Sequence, residues 1–255
     1  MNKYIKKAIR DGLADASPQM RKRHEELERR GGDGGGLLRQ VVLGGQDGLV
    51  NVLGILLGMA SGTGETGLVI LAGLAATVAE SVSMAAVAYT SARAAQDHYR
   101  AQEEQERREM EEVPDVETKE IELIYYKKGF RGEALQTVVK QITSDEELWL
   151  RTMMREELGL YESEFVEPLR EALVVGVASV IGSLIPLMPF FLLPVAPAML
   201  ASVALSLAVL FGGGALKARM TTGAWWKSGI EMALIGGAAA LLGYAVGLVL
   251  GAGLG

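Results

Sequence analysis

Two acidic side chains interrupt long apolar stretches of the sequence. Asp47 stands about ten residues inside the apolar run that begins at Leu37, and Glu80 stands inside the following run. At a helical rise of ~1.5 Å per residue, Asp47 would lie ~15 Å and Glu80 ~12 Å from the same membrane face. A charge at the bilayer centre costs on the order of 2.5–3.5 kcal/mol, so such acids typically face protein or water and mark ion or proton pathways. Met84, one turn after Glu80, adds a thioether on the same helix face.

A structural role is the alternative for these three residues. Each acid could instead pair with a hydroxyl or backbone group of a neighbouring helix, and a single Met is more often packing than a metal ligand. The depth match between Asp47 and Glu80 favours a shared path for cations.

A second concentration of carboxylates lies between residues 94 and 167. This segment has twenty Asp and Glu against ten Lys and Arg, a balance of −10 that exceeds the −6 of the whole chain. Such a segment attracts cations. Helical spacing groups Glu106 with Glu109, Glu117 with Glu120, and Met153 and Met154 with Glu157. A solvated acidic face is the alternative for any one Glu, and core packing is the alternative for the Met pair.

The ligand types narrow the choice of ion. Carboxylates alone suit Mg²⁺, Ca²⁺ or Mn²⁺, whereas added thioethers indicate Fe²⁺ or a similar ion such as Co²⁺, Mn²⁺ or Zn²⁺. With His24 and His98 as its only histidines, the chain cannot form the paired Glu-x-x-His motifs of di-iron oxidases. The absence of Cys excludes disulfides and thiolate metal sites.

Five apolar stretches are long enough to carry these residues across a bilayer, since a helix needs ~20 residues to cross ~30 Å. They cover roughly 37–61, 67–93, 169–192, 194–216 and 229–251. The sequence therefore predicts an all-α integral membrane protein with five transmembrane helices and a three-helix metal-binding insert between the second and third. The predicted domains are a cytosolic amphipathic segment 1–36, spans one and two at 37–93, the acidic insert 94–167, and spans three to five at 168–255.

The positions of Lys and Arg predict the orientation. Residues 1–39 and 94–167 carry ten each and residues 217–227 carry three, whereas the loops 61–67 and 186–197 and the C-terminal tail carry none. By the positive-inside rule, the N-terminus and the insert are cytosolic and the C-terminus lies on the far side.

Local signals divide the insert into helices. Pro114 should end the long helix that continues from the second span, and Lys127, Lys128 and Gly129 should end the next. Ser144 and Glu147 have the spacing of a capping box, and Gly159 should close the last helix. Within the membrane, Pro-rich residues 183–197 predict a broken outer hairpin. Glycines four apart, such as Gly44 and Gly48, Gly54 and Gly58, or Gly243 and Gly247, predict close helix packing.

Residues 47–62 (DGLVNVLGILLGMASG), residues 80–99 (ESVSMAAVAYTSARAAQDHY) and the insert ending in MMREELGL together resemble the vacuolar iron transporter family. The likeness extends from about residue 38 to 250. The Asp-Gly-Leu-Val start and the Ser-Met pair in the second span are specific in combination. One departure is Ala88, where many members have an acid before the aromatic residue; Glu80, a turn before Met84, is our candidate for the second membrane carboxylate.

The resemblance implies a homodimer of five-span subunits that exchanges cytosolic Fe²⁺ for protons in a vacuolar or prokaryotic plasma membrane. It implies a path lined by the first two helices at the subunit boundary, with Asp47 and Met84 contacting the ion. It also implies metal collection in the insert by Glu106, Glu109, Glu117, Glu120, Met153, Met154 and Glu157, the residues that helical spacing groups.

We expect a transporter of divalent metal and protons, with the metal as substrate and without an organic cofactor, enzymatic activity or a nucleic-acid partner. Two alternatives are a passive divalent cation channel and a membrane-anchored metal-binding or iron-oxidising protein. Five spans with buried acids exceed what an anchor requires.

Overall fold

The computed structural model describes residues 34–161, 167–220 and 224–254, and within these ranges the chain is helical without any strand. The helices are α1 (Gly34–Thr63), α2 (Thr66–Glu112), α3 (Pro114–Lys127), α4 (Gly132–Thr143), α5 (Glu146–Glu156), α6 (Pro168–Leu192), α7 (Val195–Met220) and α8 (Trp225–Leu254). Most of the predicted amphipathic segment 1–36 lies outside the described residues. The predicted all-α class is confirmed for the part of the chain that is described.

Five of these helices are long and apolar enough to cross a bilayer. The candidate spans are Arg39–Thr63, Thr66–Glu112, Pro168–Leu192, Val195–Arg219 and Trp225–Gly251. In α2 the apolar part ends near residue 93, and the rest of the helix is highly charged. The prediction of five membrane helices is confirmed at this level of length and composition.

The chain divides into two compact units. Unit 1 contains the described residues up to Tyr89 and from Leu169 onward, and unit 2 runs from Thr90 to Pro168. Unit 1 therefore contains the spanning helices, and unit 2 contains the charged end of α2 together with α3, α4 and α5.

Helix α1 lies at the centre of unit 1, where Val52, Leu53 and Leu56 are fully buried. It packs against α8 through facing glycines. A Cβ atom built on Gly247 would lie 2.1 Å from the carbonyl oxygen of Gly58, which leaves no room for a side chain. The glycine spacing thus does predict close approach of two membrane helices.

The turn of α1 that carries Asp47 is held against α6. A Cβ atom on Gly48 would lie 2.5 Å from the carbonyl oxygen of Ser179 and 2.6 Å from the hydroxyl oxygen of Ser183. Both serines are fully buried. Because the two backbones meet here without an intervening side chain, the position of the neighbouring Asp47 is set by helix packing.

The outer hairpin within residues 183–197 is broken at Pro194, and not at Pro186 or Pro189. Helix α6 continues through Pro186 and Pro189 to Leu192, and the hairpin turn lies at residues 193–194. Proline cannot donate a backbone hydrogen bond, yet neighbouring helices can satisfy freed carbonyls within a membrane. The carbonyls freed in α6 are those of Gly182 and Ile185, four residues before each proline. The Ser202 hydroxyl of α7 donates to a different carbonyl, that of Pro186, at 2.7 Å and links α7 to this part of α6.

Unit 2 has its own hydrophobic core, to which all four of its helical segments contribute. The buried residues are Met110, Ile121, Leu135, Val139, Ile142, Trp149, Leu150, Met153 and Met154. Helix α3 begins with Pro114 in its first turn, as predicted. It ends at Lys127, and Gly129 follows with a left-handed φ of 102°, which favours glycine.

The capping prediction for α5 is wrong by one residue. Asp145 is the N-cap, and its carboxylate accepts a hydrogen bond from the Leu148 N–H. Ser144 instead ends α4, where its hydroxyl donates to the Gln141 carbonyl. Asp is as good an N-cap as Ser, and only the tertiary structure decides which one begins the helix.

Candidate functional site

The two membrane acids lie side by side in unit 1. The carboxyl groups of Asp47 on α1 and Glu80 on α2 are hydrogen-bond partners, and the Asn51 side chain is a second partner of Glu80. All three residues are at least partly exposed within the chain. Two neighbouring carboxyl groups repel each other when both are ionised, and a bound cation relieves that repulsion.

Sequence reasoning missed Asn51. The signal was its spacing, because Asn51 follows Asp47 by four residues and therefore lies on the same face of α1. Its amide N–H can donate a hydrogen bond to the Glu80 carboxylate, so Asn51 helps to position that side chain.

Met84 is half-buried on α2, one turn beyond Glu80. Ser81, next to Glu80, faces inward, where its hydroxyl lies 3.4 Å from that of Ser179. Helix α2 therefore turns its Ser81 side toward α6 and keeps Glu80 on the side of Asp47.

The second group of acids is in unit 2, where three helices bring glutamates together. One carboxylate oxygen from each of Glu106 (α2), Glu117 (α3) and Glu157 (the C-cap of α5) lies within 4.8 Å of the other two. Glu106 and Glu117 are each only 4% exposed, whereas Glu157 is largely exposed. None of the three forms an ion pair with a Lys or Arg that the structure describes.

Crowding and burial change the acidity of this cluster. Burial, followed by repulsion from Glu157 and Glu117, raises the pKa of Glu106 to about 8. Burial of its carboxyl end and repulsion from Glu120 raise the pKa of Glu157 to about 7. The pKa of Glu117 also rises, through burial and repulsion from Glu120. Near neutral pH, Glu106 is thus mostly protonated and its O–H donates to Glu117.

Glu109 and Glu120 stand around these three residues. Glu120 is a hydrogen-bond partner of Glu157, and Glu109 repels Glu106, Glu117 and Glu157. The Gln105 side chain donates to Glu109 at 3.0 Å. The structure therefore brings together the two glutamate pairs that helical spacing predicts, Glu106 with Glu109 and Glu117 with Glu120, and adds Glu157 to them.

Met153 and Met154 are 0% and 1% exposed and belong to the core of unit 2. Their burial agrees with the packing alternative. Met153 precedes Glu157 by one turn, so its side chain lies on the same side of α5 as that carboxylate. A thioether ligand role for either residue stays a prediction.

The donor set fits a divalent cation. Glu106 Oε1 and Glu117 Oε2 are buried and have no hydrogen-bond partner, which leaves lone pairs available inside the cluster. Metal–carboxylate bonds of ~2.0–2.2 Å separate ligand oxygens on one ion by roughly 3–4.4 Å, so small side-chain movements would suffice. Among the described residues this is the one such convergence of three acidic or imidazole groups.

Arg107 forms ion pairs between two of the helices that carry the cluster. Its guanidinium bonds Glu146 at 2.8 Å and Glu147 at 3.3 Å, and so joins α2 to the first turn of α5. All three side chains are exposed, which limits the energy of the pairs.

Comparison with known proteins gives two concordant results. The sequence model of the VIT family matches residues 38–248. The chain is 32% identical to vacuolar iron transporter 1 of Tulipa gesneriana over 92% of this chain and 96% of the relative. It is 31% identical to vacuolar iron transporter 1 of Arabidopsis thaliana over 84% and 86% of the two chains. It is 27% identical to Protein CCC1 of Saccharomyces cerevisiae over 80% and 66%.

The resemblance predicted from residues 47–62 and 80–99 is thereby confirmed. With a family match over most of its length and relatives above 30% identity over nearly their whole length, this chain belongs to the VIT family.

Proposed function

We propose that this chain moves Fe²⁺ or a similar divalent ion, such as Mn²⁺, Co²⁺ or Zn²⁺, out of the cytosol in exchange for protons. The observation that carries this proposal is the hydrogen-bonded pair of Asp47 and Glu80 in the unit of spanning helices. Two ionised carboxyls among membrane-spanning helices have a high free-energy cost, which a bound cation or protons would lower.

The relatives support iron as the cargo. The proteins of Tulipa gesneriana and Arabidopsis thaliana are both named vacuolar iron transporters. An integral membrane location for this chain follows the same reasoning, because its five apolar helices correspond to the matched region.

The exchange rests on competition between metal and protons. The cluster of Glu106, Glu117 and Glu157 takes up the metal and gives up protons, since a ligating carboxylate must be ionised. Asp47 and Glu80 then receive the ion, with Met84 as a soft contact, and regain protons when it leaves. Metal movement in one direction is thus linked to proton movement in the other.

The proposed orientation and assembly follow from charge and exposure. Residues 1–39 and 94–167 contain ten Lys and Arg each, whereas the loops 61–67 and 186–197 contain none, which supports a cytosolic location for the N-terminus and unit 2, with the C-terminus on the far side. The apolar part of α2 exposes Leu71, Val78 and Val82, each at 65%. Such a surface needs lipid or a second subunit, and we propose a homodimer with the ion path at the subunit boundary.

Reconstituted full-length protein tests the proposal. Fe²⁺ uptake into liposomes should depend on an imposed pH gradient, and Asp47→Asn should reduce it at least tenfold, equivalent to ~1.4 kcal/mol or more. Glu65→Gln, an exposed acid between α1 and α2, is the control and should transport normally.

Two results would contradict it. Uptake that ignores the pH gradient in wild type and Asp47→Asn alike would indicate a passive channel. Fe²⁺ oxidation by the full chain faster than in buffer, without uptake, would indicate a membrane-anchored oxidase.

A further inference from the structure

Cations are stacked on aromatic rings in two short segments of the described chain. Between α7 and α8, the Arg219 guanidinium lies 5.9 Å from the Trp225 ring centre and the Lys227 ammonium 5.6 Å from that of Trp226. Between α3 and α4, Lys128 lies 5.0 Å from the ring centre of Tyr125, and Arg131 lies 3.6 Å from that of Tyr126. The two segments thus share one chemistry.

The cations and aromatic rings at the α7–α8 connection indicate where such pairs are useful. Arg219 is near the end of α7, and Trp225, Trp226 and Lys227 begin α8; both helices are long and apolar enough to span a bilayer, so we expect these four residues at the level where the membrane meets water. Trp, Tyr, Lys and Arg are enriched at that level because their apolar parts enter the lipid and their polar ends reach headgroups and water.

The α3–α4 turn has the same composition within an acidic unit. From residue 124 to 132 the chain has three basic residues and no acid, although unit 2 as a whole is strongly acidic. Large apolar side chains also protrude here, with Leu123 52%, Tyr126 48% and Phe130 38% exposed. An exposed apolar surface bordered by cations is typical of a binding surface rather than of a solvated loop.

The turn is held in one conformation. The N–H groups of Gly129 and Phe130 donate to the carbonyls of Tyr126 and Tyr125, the paired bonds of a glycine-terminated helix. The rings of Tyr125 and Phe130 meet edge to face at 5.7 Å. Arg131 donates to the carbonyls of Tyr126 and Phe130, and Lys128 pairs with Glu156. A rigid turn binds without a large loss of conformational entropy.

Lys127 is different from its basic neighbours. It is exposed and forms no ion pair with any acid that the structure describes. Together with the protruding Leu123, Tyr126 and Phe130, it leaves one positive charge beside a small apolar surface. The chemical complement is a surface with phosphate groups above hydrocarbon.

We propose that the α3–α4 turn, residues 123–131, docks on the anionic phospholipid headgroups of the bilayer that the spanning helices cross. Unit 2 is joined to spanning helices at both of its ends, near residues 90 and 168. Such tethering makes the local lipid concentration high, and a weak surface suffices.

The chain direction places the turn at the end of unit 2 that contains the first residues of this unit. Helix α3 follows α2 after a single residue, and the contact of Glu117 with Glu106 shows that it turns back beside α2. Its far end thus returns toward the start of unit 2, where Tyr99 and Tyr125 pack on the same core. Tyr99 is six residues, or ~9 Å of helix, beyond residue 93, where the apolar part of α2 ends.

The absence of native cysteine makes the test direct. An NBD fluorophore is attached to Leu123→Cys in the full-length protein, or to Gln141→Cys as the control, since Gln141 is exposed on α4. Each protein is placed in nanodiscs of phosphatidylcholine, with or without about one third phosphatidylglycerol. Lipids with a nitroxide near the headgroup then quench any label that touches the bilayer.

We expect strong quenching at position 123 in the anionic discs and little at 141. Lys127→Glu should reduce the quenching at 123 severalfold, because one basic residue near an anionic surface changes partitioning by about that factor. Lys140→Glu makes the same change in net charge on the exposed surface of α4 and should have no effect.

Three outcomes would overturn the proposal. These are equal quenching at positions 123 and 141, quenching at 123 that is the same with and without phosphatidylglycerol, and equal effects of Lys127→Glu and Lys140→Glu on the quenching at 123. A blue-shifted, unquenched label at 123 would also overturn it, since the turn would then be covered by protein, such as a second copy of the chain.

Discussion

The two groups of acids differ in how many carboxyls they hold and in what surrounds them. The membrane pair has Asp47 and Glu80, with one amide from Asn51. The cluster of unit 2 has three convergent glutamates, with Glu109 and Glu120 close to them, and its inner members are almost fully buried. The membrane pair thus has few carboxyls and is partly exposed, whereas the cluster of unit 2 has many carboxyls and two of them are buried.

The difference follows from the surroundings. Each charge within a bilayer costs on the order of 2.5–3.5 kcal/mol, which limits the number of acids that a spanning helix can carry. Outside the bilayer, unit 2 can assemble many carboxylates, whose mutual repulsion a cation relieves. Under the proposed function, the crowded cluster holds the metal and the sparse pair lets it pass.

The largest effect is expected from removing the two buried charges of the cluster. Glu106→Gln combined with Glu117→Gln should weaken metal binding by unit 2 roughly 100-fold, at ~1.4 kcal/mol for each factor of ten. Isothermal titration of the full chain with Co²⁺ measures this. The control is Glu103→Gln combined with Glu104→Gln, on the same helix. Equal losses of Co²⁺ affinity in the two double variants would contradict the assignment of the metal site to the cluster.

The second-largest effect is expected from acidification, which should weaken metal binding by the cluster of unit 2. Metal binding to the cluster must displace protons from Glu106 and Glu157, whose pKa values are raised to about 8 and about 7. Lowering the pH from 7 to 6 should therefore weaken Co²⁺ binding by about tenfold for each proton displaced. Titrations in buffers of different ionisation enthalpy count those protons, and a release of none would contradict the assignment.

The same pKa shifts predict how the metal-free fold responds to pH. A carboxyl whose pKa is higher in the folded chain stabilises the fold while it is protonated. Unit 2 should be most stable below the ordinary pKa of 4.5 and should lose stability as the pH rises through 7 to 8. Hydrogen exchange of unit 2 amides measures this, and added metal should restore protection at pH 8.

A substitution in the spanning helices should leave the cluster unchanged. In Gly247→Ala, the new Cβ would lie 2.1 Å from the Gly58 carbonyl oxygen and force α1 and α8 apart. Such overpacking typically costs about 1–3 kcal/mol. Thermal unfolding in detergent should shift downward while Co²⁺ binding stays normal. Gly212→Ala, which has open space around its Cβ, is the matched control.

The smallest effect is expected at Arg107. Its pairs with Glu146 and Glu147 are exposed, and exposed pairs contribute about 0–1 kcal/mol. Arg107→Gln should therefore change Co²⁺ affinity no more than about fivefold, as 1 kcal/mol allows. A loss as large as that of the Glu106 and Glu117 double variant would mean that α5 depends on this residue for its position.

Much of the site could be predicted from local spacing. Glu106 with Glu109 and Glu117 with Glu120 were grouped by helical periodicity alone, and the structure brings all four near Glu157. The matched depth of Asp47 and Glu80 in their apolar stretches likewise predicts that these two residues lie close together, as they do. By contrast, spacing did not distinguish Asp145 from Ser144 as a cap, because both types stabilise a helix start.

The sequence by itself determined the five spanning helices and the positions of the acids along them. Apolar length and the cost of charge in lipid are properties of a single segment. Tertiary structure decided which oxygens converge, that α6 continues through Pro186 and Pro189, that Asn51 joins the membrane pair, and that both methionines are buried in a core. These features depend on how separate helices pack against one another. Packing brings together residues from different helices, and their separation in the sequence follows no helical period.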